Sequence, residues 1–159
     1  MTAWTDENLI DGANLRLVAS ESGILRILLR VSGPPEGRYD PEHPLLVEAA
    51  RQLRAYFQGE LRQFQLPLDL RGTEFQLRVW RHLLTIPYGE TRSYSEIARA
   101  IGAPHAVRAV GAANGANPIP IMVPCHRVIG GSGKLVGYGG GLALKKRLLD
   151  LEREVPLFH

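Results

Sequence analysis

The chain contains 159 residues, of which 45% are hydrophobic and 22% are charged, a composition typical of globular rather than disordered proteins. Its formal charge of +3 permits a nucleic-acid partner but does not by itself indicate one. The single cysteine excludes an internal disulfide and a multi-cysteine zinc site, and the sequence shows neither an apolar run long enough to span a membrane nor a signal-peptide pattern. We therefore expect a cytoplasmic protein without a metal or another cofactor.

The first part of the chain predicts a small α/β module over residues 1–69. Two apolar runs, at residues 15–19 and 24–29, are separated by a connector that contains Gly23. Apolar runs joined in this way are typical of a β-hairpin.

A helix is predicted after this hairpin. Asp40 and Pro41 are suited to the N-cap and the first helical position, and apolar residues recur at helical spacing as far as Phe57. A third strand is predicted near residues 64–68. His43 is interpreted as a solvated residue at the helix start, and the module contains no catalytic candidate.

Residues 70–159 are predicted to form a mainly helical domain. Thr73 and Gln76 have the spacing of a capping box, which opens a helix with one apolar stripe. Ser93 and Glu96 form a second capping box. The sequence as a whole therefore predicts an α+β fold.

Two short helices of this domain are predicted to form a helix-turn-helix. The first runs from Tyr94 to Ile101 and is ended by Gly102, and the second starts at Pro104 and runs to about Gly115. The inward face of the second helix is apolar: Ala106, Val107, Val110 and Ala113. Its outward face has one long cation among small side chains: His105, Arg108, Gly111, Ala112 and Gly115. Such a flat face fits either a solvated surface helix or an arginine that enters a duplex from the minor groove, and it is a poor reader of major-groove base edges.

Cys125 and its neighbour His126 are the candidate reactive groups. A lone cysteine between apolar residues is also typical of an inert core position, so this alternative remains open from the residues alone. A nucleophilic thiolate needs a base or a positive field. Adjacent side chains on an extended strand point to opposite faces, so direct contact between His126 and Cys125 is not expected on a strand, and a bridging water or a sharp turn after Pro124 would connect them.

The end of the domain combines glycine-rich loops with a final helix. The loops at residues 130–133 and 137–141 lack the Lys-Ser or Lys-Thr pair of a phosphate-binding loop, so we interpret them as the wall of a pocket for a planar ligand. The helix is predicted from Leu142 to about Glu154, with Glu152 beside the apolar stripe. That stripe consists of Leu144, Leu148, Leu151 and Val155.

The cysteine segment carries a specific motif. The run Asn117-Pro118-Ile119-Pro120, followed by Pro124-Cys125-His126-Arg127-Val128, closely resembles the active-site segment of the O6-alkylguanine-DNA alkyltransferases. The resemblance extends from about Gly72 to Glu152. It implies a ribonuclease-H-like N-terminal module followed by a helical domain with a helix-turn-helix.

The resemblance also implies roles for individual residues. The catalytic group contains Cys125 as alkyl acceptor, His126 acting through water, Glu152 orienting the imidazole, and Asn117 fixing the turn. The residues expected to contact DNA are Arg108, which fills the gap left by the flipped nucleotide, Tyr94, Ser95 and Gly131. The residues expected to line the base pocket are Tyr94, Pro120, Val128, Tyr138 and Gly139.

The implied reaction is direct reversal of DNA damage. The cysteine sulfur takes the alkyl carbon from O6-alkylguanine, and O4-alkylthymine is a further substrate that the resemblance allows. The thioether product offers no activated carbonyl to water, so one molecule acts once. The partner is double-stranded DNA, bound through the minor groove with the lesion flipped out. We expect a monomer and leave cooperative binding along DNA open.

Two alternative functions remain open, and the sequence departs from the pattern of the family at two points. Alkyltransferase-like proteins hold the lesion without an acceptor cysteine, and a cysteine hydrolase with a Cys-His-Glu triad would turn over an acyl substrate repeatedly. Gly139 offers only its backbone N–H to O6 where some relatives have serine. The zinc of certain relatives has no cysteine ligands here, so no metal is predicted.

Overall fold

The structure is a computed structural model that describes residues 1–10, 13–31, 33–133 and 135–153. Its internal contacts divide the chain into two compact units. The first consists of Met1–Arg71 with Pro118–Met122, and the second of Gly72–Asn117 with Val123–His159. Among the described residues, no helix is both long enough and apolar enough to cross a membrane.

The first unit is built on a four-stranded sheet in the order β3-β2-β1-β4. The strands are β1 (Ala3–Ile10), β2 (Ala13–Ala19), β3 (Ile24–Leu28) and β4 (Arg38–Tyr39). The predicted hairpin is confirmed, because β2 and β3 pair antiparallel. β1 pairs antiparallel with β2 and parallel with β4. Helix α1 (Pro44–Phe57) packs against β1, β2 and β3.

Helix α1 begins later than the sequence predicts. Its N-cap is His43, whose Nδ1 accepts a hydrogen bond from the backbone N–H of Leu45 at 3.2 Å, and Pro44 is the first helical residue. Asp40 instead accepts the N–H of His43 through its carbonyl oxygen, so it lies in a turn before the helix. An imidazole nitrogen therefore supplies the acceptor that a carboxylate was expected to supply.

The prediction of a strand near residues 64–68 is wrong. The β pairing described for these residues is an isolated bridge between Leu68 and Ile24. Pro67 lacks an N–H and can only accept, which it does from Ile24 at 2.8 Å, so no ladder forms.

The second unit is mainly helical. Its elements are α2 (Glu74–Leu83), β5 (Arg92–Ser93), α3 (Tyr94–Ala100), α4 (Val107–Gly115), β6 (Val128–Ile129) and α5 (Leu142–Arg153). Both capping boxes are confirmed, each with its reciprocal pair of hydrogen bonds. Helices α3 and α4 pack against each other and against α2. The indole of Trp80 on α2 donates to the carbonyl of Ala113 on α4 at 2.8 Å, which fixes α4 to the scaffold.

Helix α4 also begins later than predicted. Its N-cap is Ala106, and Pro104 lies in the preceding turn, where Gly102 adopts a positive φ of 78°. On the inward face Val110 and Ala113 are buried as predicted, whereas Val107 is exposed. Asn114 lies on the same face, about one turn after Val110, and is buried too.

The buried stripe of α5 differs from the predicted one. Its buried residues are Lys145, Leu148, Leu149 and Glu152. Leu144 and Leu151 are only half-buried, and Val155 lies outside the described residues. Because Lys145 and Glu152 both find polar partners inside the second unit, the helix turns these two charged residues inward.

Candidate active site around Cys125

Cys125 lies at the start of a tight turn, not on an extended strand. Residues Cys125–Arg127 form one turn of 3-10 helix, and strand β6 begins only at Val128. The backbone N–H of Val128 donates to the carbonyl of Cys125, and that of Arg127 donates to Pro124 at 3.0 Å. This geometry matches the sharp turn after Pro124 that the sequence left as one of two possibilities.

A short parallel pairing brings the start of the helix-turn-helix to this turn. Arg92 pairs with Val128 and Ser93 with Ile129, so β5 lies beside the strand that follows the cysteine. Since Tyr94 begins α3 directly after β5, its side chain is delivered to the same region. The Tyr94 hydroxyl donates to the carbonyl of Val136 at 3.4 Å, directly before the second glycine-rich loop.

His126, Arg127 and Glu152 form a buried network beside the cysteine. The Nε2 atom of His126 lies 2.7 Å from Oε2 of Glu152. Arg127 donates to both oxygens of the same carboxylate, through Nε at 2.8 Å and Nη2 at 3.0 Å. Its Nη1 donates to the carbonyl of Ile86 at 2.7 Å. The guanidinium is therefore fixed at three nitrogen atoms.

The electrostatics of this network define the protonation of each group. Burial alone would raise the pKa of Glu152, but the hydrogen bonds and charges of His126 and Arg127 lower it to about 2. Burial lowers the pKa of His126 below its ordinary value, which outweighs the opposite effect of Glu152. The imidazole is therefore neutral at pH 7 beside an ionised carboxylate. Because a carboxylate only accepts, Nε2 of His126 carries the proton and Nδ1 is the acceptor.

The cysteine thiol is protonated in the resting protein. Only 5% of Cys125 is exposed. This burial raises the pKa of the thiol to about 11, against the opposing effects of a hydrogen bond with Asn117 and the charge of Lys145. A thiol of this pKa needs a base to become a nucleophile at neutral pH.

Two asparagine side chains hold the backbone on either side of Pro124. Asn117 donates from Nδ2 to the carbonyl of Val123 at 2.8 Å, and Asn114 donates from Nδ2 to the carbonyl of Cys125 at 3.4 Å. Asn117 was predicted to hold the turn, and its bond to Val123 supports that role. Asn114 is an addition from the structure.

Lys145 connects the strand after the cysteine with the glycine-rich loop. Its Nζ donates to the carbonyl of Val128 and to that of Val136, each at 2.7 Å, and the residue is fully buried. Tyr138 follows in the same loop, and its hydroxyl is buried without a hydrogen-bond partner in the described part of the chain. Burial, with the charges of Cys125 and Glu152, raises the pKa of Tyr138 well above its ordinary value.

The other predicted residues fall into three groups. Val128 is buried beside the cysteine turn. Pro120 is buried too, but it belongs to the first unit. The remaining predicted residues are exposed in the second unit: Ser95, Arg108, Gly131 and Gly139. The predicted roles of all of them remain proposals.

Sequence reasoning missed three residues of the site, namely Arg127, Asn114 and Lys145. Arg127 stands inside the motif that was quoted, and its position next to His126 was the available signal. Lys145 lies seven residues before Glu152, which places both side chains on one helix face. Asn114 lies four residues after Val110, so it shares the inward face of α4.

Comparison with known protein families agrees with this architecture. Residues 13–70 match the model of the 6-O-methylguanine DNA methyltransferase ribonuclease-like domain, and residues 74–154 match that of the DNA binding domain of the same proteins. Together the fold and the site therefore define a methyltransferase whose acceptor is a cysteine of the protein itself.

Individual relatives are similar over most of the chain. The methylated-DNA–protein-cysteine methyltransferase of Mycobacterium tuberculosis is 61% identical over 129 residues, which cover 81% of this chain and 78% of the relative. The constitutive enzyme of Bacillus subtilis is 56% identical over 113 residues, covering 70% and 68%. The chain belongs to the methylated-DNA–protein-cysteine methyltransferase family.

Solved structures confirm the fold over nearly the whole chain. The crystal structure of Mycobacterium tuberculosis O6-methylguanine methyltransferase superposes with a TM-score of 0.87 at 50% identity, covering 99% of this chain and 96% of that one. A structure of the M. tuberculosis protein in complex with DNA gives a TM-score of 0.85 at 53% identity, covering 96% and 92%. The predicted α+β fold, with its small N-terminal sheet module and helical second part, is confirmed.

Proposed function

We propose that this protein repairs double-stranded DNA by moving the alkyl group of a flipped O6-alkylguanine onto Cys125, once per molecule. The observation that carries the proposal is the arrangement at the cysteine turn. His126 directly follows Cys125 in the chain and has Nδ1 as a buried acceptor, while its Nε2 is held by an ionised Glu152. This is the base that a buried thiol requires.

The proton of the thiol moves before or during alkyl transfer. It passes to Nδ1 of His126, through a bridging water in the form that the family resemblance implies. The imidazolium that results is stabilised by the Glu152 carboxylate at 2.7 Å. Since Arg127 keeps Glu152 ionised, the positive charge on His126 is balanced by the carboxylate, and no second proton transfer from His126 to Glu152 is needed.

The alkyl transfer is an in-line displacement. A bond forms between Sγ of Cys125 and the alkyl carbon, and the bond between that carbon and O6 breaks. The electron pair leaves with the guanine, which takes up a proton to become neutral. Tyr94 is the candidate group for assisting this step, because its hydroxyl lies at the rim of the same site. The thioether is stable to water, so the acceptor is not regenerated.

DNA binding is proposed for the helix-turn-helix formed by α3 and α4. Arg108 and Ser95 are exposed on these helices, and small side chains surround Arg108 on its face of α4. A flat face of this kind allows close approach to a minor groove, and a single arginine fills the space left by a flipped nucleotide. Gly131 offers a backbone contact from an exposed loop. We expect the protein to act as a monomer in the cytoplasm.

The pocket for the flipped base is proposed to include Tyr94, Val128, Tyr138 and Gly139 of the second unit. The role expected for Pro120, which belongs to the first unit, stays a prediction from the sequence. Burial of the Tyr138 hydroxyl without a partner among the described residues supports a role in ligand contact, because such groups are normally paired.

The proposal is tested by measuring the intact mass of the protein after incubation with a duplex that contains O6-methylguanine. We expect a mass gain of one methylene on the peptide that contains Cys125, and none in Cys125→Ser. The gain should reach one equivalent and stop. An unchanged mass with tight duplex binding would instead identify a damage-binding protein, and continued turnover of an acyl substrate would identify a hydrolase.

A further inference from the structure

Buried polar atoms without a partner collect around the cysteine in the second unit. Within its described residues these atoms are Oδ1 of Asn114, Nδ1 of His126 and the hydroxyl oxygen of Tyr138. Asn114 bonds to the carbonyl of Cys125, His126 follows Cys125, and the charge of Cys125 contributes to the raised pKa of Tyr138. Unpaired buried groups are unfavourable, so their collection at one place indicates where a ligand supplies the missing partners.

Asn114 has a defined orientation at this place. It lies in the last turn of α4 and is only 4% exposed. Its amide nitrogen donates to the Cys125 carbonyl, and a hydrogen bond with Asn114 partly offsets the rise that burial causes in the pKa of Tyr94. The donor end of the amide is thus occupied. Its carbonyl oxygen is left as an acceptor between the cysteine turn and Tyr94.

The chemistry of the damaged base limits which of its groups can donate a hydrogen bond to Oδ1 of Asn114. Alkylation at O6 fixes the guanine ring in a form with no proton on N1, so O6, N1, N3 and N7 can only accept hydrogen bonds. The exocyclic 2-amino group is then the donor that the base retains. We propose that Oδ1 of Asn114 accepts a hydrogen bond from the 2-amino group of the flipped O6-alkylguanine, which makes Asn114 a specificity-determining residue.

The inference rests on the proposed function and extends it to substrate choice. O4-alkylthymine has no proton on N3 and carries no amino group, so it offers no donor to Asn114. A site that is built to bond a donor rejects a ligand that lacks it, because the buried acceptor then stays unpaired. Asn114 therefore favours O6-alkylguanine over O4-alkylthymine.

The test compares two duplexes that differ in one group. One contains O6-methylguanine and the other O6-methylhypoxanthine, which lacks only the 2-amino group. Single-turnover rates and duplex affinities are measured for the wild type, Asn114→Leu and Asn114→Asp. We expect the wild type to prefer O6-methylguanine by about tenfold to a hundredfold, the size expected for one buried hydrogen bond. In Asn114→Leu the two substrates should react at equal rates.

The variants separate recognition from a general structural effect. Asn114→Asp keeps an acceptor oxygen and should keep the preference even if both of its rates fall. The ratio of the rates on the two duplexes is taken within one protein, so a uniform loss of activity leaves it unchanged. Asn114→Ala replaces Asn114→Leu if the leucine variant does not fold.

Equal wild-type rates on the two duplexes, or an unchanged preference in Asn114→Leu and Asn114→Ala, would overturn the inference while leaving alkyl transfer to Cys125 intact. Absence of transfer from both duplexes would overturn the proposed function as well.

Discussion

The buried Arg127 donates a hydrogen bond to each oxygen of the Glu152 carboxylate, at 2.8 Å from Nε to Oε1 and at 3.0 Å from Nη2 to Oε2. This planar, two-point contact keeps the carboxylate ionised, and the ionised carboxylate in turn decides which nitrogen of His126 carries its proton. The protonation of His126, the base that we propose for Cys125, therefore depends on Arg127.

Replacement of Arg127 by methionine should destabilise the protein strongly. The change leaves the Glu152 carboxylate buried without its cation, and breaking one partner of a buried pair costs about 3–5 kcal/mol. The free energy of unfolding, measured by urea denaturation at pH 7, checks this. Arg147→Met on the exposed face of α5 is the control, and it should change stability by less than about 1 kcal/mol. Similar effects in both variants would contradict the prediction.

Stability should fall as the solution becomes acidic, in two stages. The pKa of His126 is lowered from 6.5 and that of Glu152 from 4.5 to about 2, so at acidic pH the unfolded chain binds more protons than the folded one. The His126 contribution is present above about pH 6.5 and is lost below it. The Glu152 contribution, of roughly 3 kcal/mol, is present above pH 4.5 and is lost as the pH falls toward 2.

Unfolding free energies measured between pH 2 and pH 8 test this dependence. Glu152→Gln should be less stable at pH 7 and should lose less stability below pH 4.5 than the wild type. Asp150→Asn, at an exposed pair with Lys146, provides the comparison. If Asp150→Asn reduced the loss of stability below pH 4.5 as much as Glu152→Gln does, the buried network would not be the cause of that loss.

Lys145 should promote ionisation of Cys125. Its positive charge lowers the pKa of the thiol, although burial dominates and holds that pKa at about 11. Lys145→Met removes the charge at similar length, so the thiol pKa should rise further and reaction with iodoacetamide at pH 9 should slow by roughly tenfold for each unit of that rise. Lys146→Met, at an exposed position of the same helix, should react like the wild type. A slower reaction with no change in its pH profile would mean that Lys145 only holds the loop.

Local sequence signals predicted the parts of the fold that depend on neighbours in the chain. The capping boxes at Thr73 and Ser93 involve residues three positions apart, so they can be recognised without knowing the tertiary structure. The hairpin of β2 and β3 has a four-residue connector and apolar strands. β1 was missed because Asp6 and Glu7 interrupt its apolar pattern, and its pairing with β2 compensates for this.

The interior of the site was harder to predict, because its partners are distant along the chain. Lys145 and Glu152 are charged, and an amphipathic pattern places such residues in solvent. Their partners, the Val128 carbonyl and Arg127, lie 17 and 25 residues away, and only these contacts make burial favourable. The cysteine was identified from its motif, whereas the sequence left open whether a sharp turn follows Pro124, and the structure has a 3-10 turn at Cys125–Arg127.

Arg108 provides a test of base flipping that is separate from the chemistry at the sulfur. It is exposed on α4, and the proposal places it in the space left by the flipped nucleotide. Arg108→Ala should therefore slow repair of O6-methylguanine in a duplex by roughly tenfold or more, since extrusion of a base costs a few kcal/mol that the arginine helps to offset. Reaction with free O6-benzylguanine requires no extrusion and should stay nearly unchanged. Rates on both substrates, with Arg99→Ala on the exposed face of α3 as a surface-charge control, check the prediction. An equal loss on the duplex and on the free base would show that Arg108 supports the fold of the helix-turn-helix and has no role in extrusion.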